Sequence, residues 1–322
     1  MRERYVQLLG RDRDQGPDPA GGFTPIRGIG AGSRVPVPRL TPDRLLGAGD
    51  ALALVEDWHP LVLVDVAALP GVDAAGQRIP WQAVAESAAG DDLRSLEPPE
   101  DTVVEPVGPL AAAAQPGDRT SSTTAGVATV GLPVVLRYPT PTLSEGFLTV
   151  SHGAPSGAVT VMSPGGSPVT GQVLFSAGSA TGSRGGDDIA LVGLPPGSLG
   201  GWVQNSGTQP PPAGPPYLTL PVDLFAGRTG HVLAQVNGAL LQHGDQHWQW
   251  LDCWELGGTT PGMQPGDSGS LAVGPVAPHP LFGHFVGGAV NVRGGPGFTH
   301  HWVQDLGQVL SRQPFLADLI RF

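Results

Sequence analysis

Residues 264–273 read "QPGDSGSLAV", and they join a proline–glycine turn to a short apolar run with Asp267 and Ser268 held between Gly266 and Gly269. Glycine reaches backbone angles closed to other residues, so the segment reads as a tight turn that presents a serine and then enters a strand. In a chain with 49 Gly and 35 Pro the same letters also describe an ordinary turn. The flanking sequence decides between a nucleophile and a turn.

Upstream, from about residue 120, short apolar runs alternate with Gly, Pro, Ser and Thr: "AGVATVGLPVVLRY", "EGFLTVSH", "SGAVTVMS", "GQVLFSAG" and "DDIALVGL". Strands at this spacing argue for a sandwich or barrel. The proline-rich stretch "NSGTQPPPAGPPY" (205–217) then divides the β region into two comparable halves. The second half continues through "TGHVLAQVNGALLQHG", "HWQWLDCWEL", "GSLAV" and "GHFVGGAVNV". It closes with "THHWVQDLGQVLSRQPFLADLIRF", where Trp302, Leu306, Val309 and Leu310 share one helical face and predict an amphipathic helix over about 300–322.

Before residue 120 the pattern differs. Residues 1 to about 40 read as an extended or poorly ordered arm, and "GIGAG" (Gly28–Gly32) is no dinucleotide loop because it neither follows a strand nor opens a helix. Over residues 41–95, "TPDRLLGAGDALALVEDW" predicts a helix and "PLVLVDVAAL" a buried strand, together a small α/β element. The acidic, proline-rich "SLEPPEDTVVEPVGPL" reads as a connection.

Bulk composition removes several function classes. With 322 residues there is ample chain for a buried core, and a charged fraction of only 14% favours strands and turns over charged helices. A formal net charge of −11 opposes electrostatic binding to nucleic acid or to an anionic membrane. All 17 basic residues are arginine, which excludes a phosphate-loop lysine, a Schiff base and a Ser–Lys dyad. Cys253 is the one cysteine, so no disulfide forms within the chain. The start "MRERYVQLLGRDRDQG" lacks the apolar core of a signal peptide, and no stretch reaches the length of a membrane span, so a cytoplasmic location is expected.

Acyl transfer by a serine needs an imidazole to take the hydroxyl proton and a carboxylate to orient the imidazole. "EGFLTVSHGAP" sets His152 at the end of an apolar strand, "GGDDIALVGL" sets Asp188 at the start of another, and "PGDSGSLAV" sets Ser268 in a glycine turn before a third. With these residues in view, the chain resembles the chymotrypsin-like (trypsin-fold) serine peptidases. "GFLTVSH" is similar to the strand that ends in their catalytic histidine, "DDIALV" to their Asp-Ile-Ala-Leu strand, and "PGDSGSLAV" to their nucleophile loop. "AGRTGHVLAQVNG" (226–238) resembles a strand of the disulfide-free bacterial members. The likeness spans about residues 118–322, and residues 1–105 match nothing.

The resemblance implies a mostly β fold of two chymotrypsin-like, six-stranded-type β-barrels and a C-terminal helix, preceded by a small N-terminal α/β or irregular region. The barrels fall at about 118–205 and 216–300, inside a peptidase domain over 106–322, after a region over 1–105 whose role is open. It implies His152 as general base, Asp188 as its orienting acid with Asp187 as competitor, Ser268 as nucleophile, and the amides of Gly266 and Ser268 as an oxyanion hole. Gly262 and Met263 would floor the specificity pocket, and Val286, Gly287 and Gly288 would form a wall left open by its glycines, suited to a medium or large apolar side chain. Gly269 would let substrate backbone come close. Gly153 and Ala154 depart from the family where a small helical turn follows the histidine.

The reaction so implied is selective or regulated peptide hydrolysis through an acyl-enzyme, with no metal or organic cofactor. Expected partners are a protein or peptide substrate and a regulatory or substrate protein meeting the N-terminal region. Nucleic acid and membranes are not expected. The alternative is a silent binding or scaffolding module of the same fold. "HGDQH", with His243 and His247 four apart, reads as a hairpin turn before it reads as a zinc pair, and His300 and His301 read as packing the last helix.

Overall fold

The computed structural model describes residues 1–5, 7–8, 24–32, 57–66, 81–107, 110–112, 120–122, 127–162, 168–177, 186–199, 221–224, 228–243, 246–250, 252–260, 263, 266–274, 280–290 and 298–321. Nearly all of the helix expected over 41–58 and the whole linker 205–217 lie outside these residues. In chain order come β1 (Ile26–Gly32), β2 (His59–Asp65), helix α1 (Trp81–Ser95), β3 (Val103–Val107) and β4 (Leu110–Ala112). They are followed by β5 (Thr120–Ser122), β6 (Val127–Ala128), β7 (Pro133–Leu136), β8 (Glu145–Thr149), β9 (Ala158–Val161), β10 (Val169–Ser176) and β11 (Ala190–Leu194). Next are β12 (Pro221–Leu224), β13 (Arg228–His243), β14 (Gln246–Gln249), β15 (Cys253–Thr260), β16 (Leu271–Val273), β17 (Leu281–Val290) and β18 (Phe298–Asp305). Helices α2 (Leu306–Arg312) and α3 (Pro314–Leu319) lead into β19 (Ile320–Arg321).

The protein is mostly β, in two sheets. One holds eight strands in the order β19-β7-β8-β11-β10-β9-β5-β6. The other holds eleven, ordered β12-β16-β17-β18-β15-β13-β1-β2-β3, with β14 hung on β13, β4 on β17, and β12 also paired with β13. No helix among the described residues is long and apolar enough to cross a membrane.

Three sequence expectations are corrected here. The supposed arm contains β1, a central strand between β2 and β13. Its glycines suit that place: a Cβ on Gly30 would lie 2.3 Å from the Gln235 carbonyl, so only glycine lets the backbones approach. The supposed connection over 95–110 contains β3, paired in parallel with β2, and the start of β4. Pro106 is tolerated because β3 is the outermost strand on its side of the sheet. The terminal helix begins at Leu306 and not near residue 300. Residues 298–305 pair with β15 on one side and β17 on the other, which buries Trp302 and Val303 within a sheet. Asp305 ends the strand and caps α2 by accepting from the Gln308 N–H at 2.9 Å.

The sheets meet along an apolar seam. Leu132, Val134, Leu148, Ile189 and Leu191 from the eight-stranded sheet pack with Leu271, Val273 and Leu281 from the other, and Leu306, Val309 and Leu316 of the helices close the cluster. The C-terminal residues also fasten this seam by charge. Arg312 donates through Nε to the buried Asp187 carboxylate at 3.0 Å and also pairs with Asp252, while Gln313 Nε2 donates to Asp187 at 2.8 Å. Removing the guanidinium strands a fully buried carboxylate. Arg312→Met is therefore expected to lower the unfolding free energy by roughly 3 kcal/mol, read by chemical denaturation.

Candidate active site

β8 delivers His152. The strand is almost wholly buried, and just beyond it the chain makes one helical turn in which the Ala154 N–H donates to Val150 O at 3.2 Å. Gly153 and Ala154 form this turn. A Cβ on Gly153 would meet the Ala128 Cβ at 2.4 Å. Asp188 stands just before β11. Because Ala190 pairs with Thr149, the residues leading into β11 lie beside those leaving β8, which brings Asp188 to His152. Ser268 arrives from the other sheet, in the turn before β16.

These three side chains form a continuous hydrogen-bonded line. His152 Nδ1 lies 2.6 Å from Asp188 Oδ2, and His152 Nε2 lies 3.1 Å from Ser268 Oγ. Asp188, and not Asp187, holds the histidine. Its carboxylate is fully buried, with Oδ1 accepting from the Ser151 hydroxyl (2.8 Å) and the His152 N–H (3.0 Å) and Oδ2 accepting from Trp250 Nε1 (2.9 Å). Its backbone is fixed as well: the N–H donates to Gln304 Oε1 at 2.8 Å, and the carbonyl faces His284 Nε2 at 2.9 Å. Burial alone pushes the Asp188 carboxyl up, but the charge of His152 and hydrogen bonds from His152 and Ser151 outweigh it and bring the group down to about 2. Burial pushes His284 the other way, below its ordinary value, which suits a neutral ring donating to the carbonyl.

The serine turn is anchored across the seam by one residue of the eight-stranded side. Thr129 donates its N–H to Ser268 O at 2.6 Å and its hydroxyl to Gly266 O at 2.8 Å. Gly266 and Gly269 both adopt positive φ, 99° and 93°. At Gly269 a Cβ would sit 2.4 Å from Thr129 O and 2.6 Å from Thr149 Oγ1. The missing side chain thus makes room for the protein's own backbone. Val286 O, 3.2 Å from Ser268 Oγ, is a second acceptor within reach of the same hydroxyl proton, and Ser268 and His152 are 0% and 2% exposed.

Of the expected pocket residues, Gly262 lies outside the described residues. Met263 is buried, and its N–H donates to His301 Nε2 at 3.3 Å. Val286 adjoins the serine through its carbonyl, 3.2 Å from Ser268 Oγ. Gly287 and Gly288 do not leave a wall open: they pair with Ala112 and Ala111 of β4, and a Cβ on Gly288 would run into the His300 carbonyl. His243 and His247 belong to the β13–β14 hairpin, opposite Gln246 and Gln242. His300 and His301 lie in β18, where His300 Nδ1 meets Glu255 at 3.0 Å. Cys253 is buried in the core, and burial pushes its thiol up, as befits an inert small hydrophobe.

Sequence reading did not find Trp250, Gln304 or His284 at the site, since each reaches Asp188 from a distant element. Ser151, adjacent to His152, carried a local signal in "TVSH". Trp250→Phe removes one donor from the buried carboxylate, so it is expected to raise the Asp188 pKa and to lower stability by about 1–3 kcal/mol, measured by urea denaturation. The Asp188 group also sets a pH window. Its folded value of about 2 lies below the ordinary 3.8, so the ionised form stabilises the fold above pH 3.8 and that contribution is lost as pH falls toward 2. The stability difference between the wild type and Asp188→Asn is expected to shrink by on the order of 2 kcal/mol as pH falls through this acid window, measured by chemical denaturation.

No family model matches the chain, and no curated protein matches it. Among solved structures, a mutant, inactive form of Rv3671c from M. tuberculosis H37Rv is similar at a TM-score of 0.37 and 16% identity, over 62% of this chain and 85% of that one.

Proposed function

We propose that the protein is a serine endopeptidase of the chymotrypsin-like type. The observation that carries this reading is the line from the Asp188 carboxylate through His152 to the Ser268 hydroxyl, at 2.6 and 3.1 Å. Ser268 Oγ attacks a peptide carbonyl while His152 Nε2 takes its proton, and Asp188 holds Nδ1–H and steadies the imidazolium. The tetrahedral oxyanion is received by the amides of Gly266 and Ser268. His152 then protonates the leaving amine, an acyl-enzyme remains, and water activated by the same histidine releases the second product. The Asp188–His152 and His152–Ser268 contacts support the proton-transfer steps.

In this reading the peptidase unit runs over about 106–322 as two barrels, and the double pairing of β12 with β13 and β16 supports closure of the second. β1–β3 extend that second unit. A protein or peptide is the substrate, with a medium or large apolar residue preferred, and the cytoplasm is the place of action. The test is active-site labelling. A small fluorophosphonate is expected to modify the protein at Ser268, with no labelling in Ser268→Ala. His152→Ala and Asp188→Asn are expected to lose roughly 10³- to 10⁴-fold in rate. Labelling that survives Ser268→Ala overturns the proposal.

A further inference from the structure

One edge of β17 carries, in order, β16, the serine turn and β4. β16 pairs with it from Leu281 to His284. The serine turn follows, with Phe285 N–H donating to Ser270 O and Gly269 N–H to Phe285 O, each at 2.8 Å. Val286 O lies 3.2 Å from Ser268 Oγ. The next three residues, Gly287, Gly288 and Ala289, are covered by Ala112, Ala111 and Leu110 of β4, antiparallel to β17.

This direction matters. Residue numbers in β4 rise as those in β17 fall, so the strand runs toward Val286 and the serine. An extended peptide that offers a carbonyl to Ser268 by adding itself to this edge, as peptides commonly add to exposed sheet edges, needs the same three residues of β17 in the same direction. β4 and the surrounding sequence suit such a site. Residues 107–117, "VGPLAAAAQPG", hold no charge and consist mostly of small apolar side chains. Ser268 itself has no exposed surface.

We propose, resting on the serine endopeptidase reading, that β4 is a tethered stand-in for substrate: the chain closes its own cleft with Leu110–Ala112, and an extended peptide or a partner must displace this strand to reach Ser268. Tethering gives β4 a high effective concentration at the edge, while a pairing of only three residues is weak enough to open locally. The same cleft is thereby silent toward poor ligands and open to those that pair better.

The test compares fluorophosphonate labelling of Ser268 in the wild type, Ala111→Pro and Ser268→Ala. Proline removes a β4 N–H and fixes its φ, so Ala111→Pro is expected to label at least about ten-fold faster, and a peptide of residues 104–114 added in trans is expected to slow it again. Equal Ser268-dependent rates in wild type and Ala111→Pro, with unchanged melting, overturn the strand proposal and leave the peptidase reading intact. No Ser268-dependent labelling in either protein overturns the peptidase reading, and the strand proposal with it. Should Ala111→Pro fail to fold, hydrogen exchange on the wild type decides. A tripeptidyl boronate bound at Ser268 is expected to abolish amide protection at Leu110–Ala112, and retained protection overturns the strand proposal.

Discussion

A carboxylate sealed from water persists as an anion only where protein donors replace its hydration, and Asp188 is such a group. Its four donors come from Ser151, from His152 twice and from Trp250, and its own backbone is held by Gln304 and faced by His284. Trp250, Gln304 and His284 belong to the eleven-stranded side, while Ser151 and His152 follow a strand of the other. Neither sheet can slide against its neighbour without stripping donors from a buried charge. Thr129 repeats the device at the serine turn, where one residue of the eight-stranded side fastens the carbonyls of Gly266 and Ser268. The alignment of Asp188, His152 and Ser268 is thus a consequence of how two sheets are locked together.

What could be read from the sequence was local. His152, Asp188 and Ser268 each sit at the boundary of an apolar run, and the letters that form such boundaries are adjacent in the chain. Their mutual distances rest on the Ala190–Thr149 register and on Thr129, neither of which has a signature in sequence. Trp250 offered only a strand-like spacing with its neighbours, and nothing near it indicates a carboxylate as partner. The β18 segment misled because Trp302, Leu306, Val309 and Leu310 straddle a strand and a helix, and burial in a sheet wins over helical spacing once neighbours flank the segment on both sides. β1, β3 and β4 misled in another way. Glycines and prolines that usually mark loops here mark close backbone approach and an outer strand.

The N-terminal strands therefore do not form a separate appendage. β1 lies on β13, β2 and β3 continue from it, and α1 covers them through Ala85 and Ala89 against Ile29, Val62 and Val64. Glu105 of β3 and Glu255 of β15 both face His300 of β18, at 3.7 and 3.0 Å. The region that supplies β4 to β17 is in this way built into the same sheet that carries the serine turn.

The clasp between Asp187 and the pair Arg312–Gln313 joins residues 125 and 126 positions apart. During synthesis, chain leaves the ribosome in order, so Asp187, Asp188 and even Ser268 are exposed well before Arg312 emerges. The neutralising cation for the carboxylate beside Asp188 arrives last, together with α2 and the seam residues Leu306 and Val309. Contacts of such long sequence separation form slowly. On a nascent chain the Asp187 carboxylate therefore stays without these two partners until the segment that carries Arg312 and Gln313 has been made.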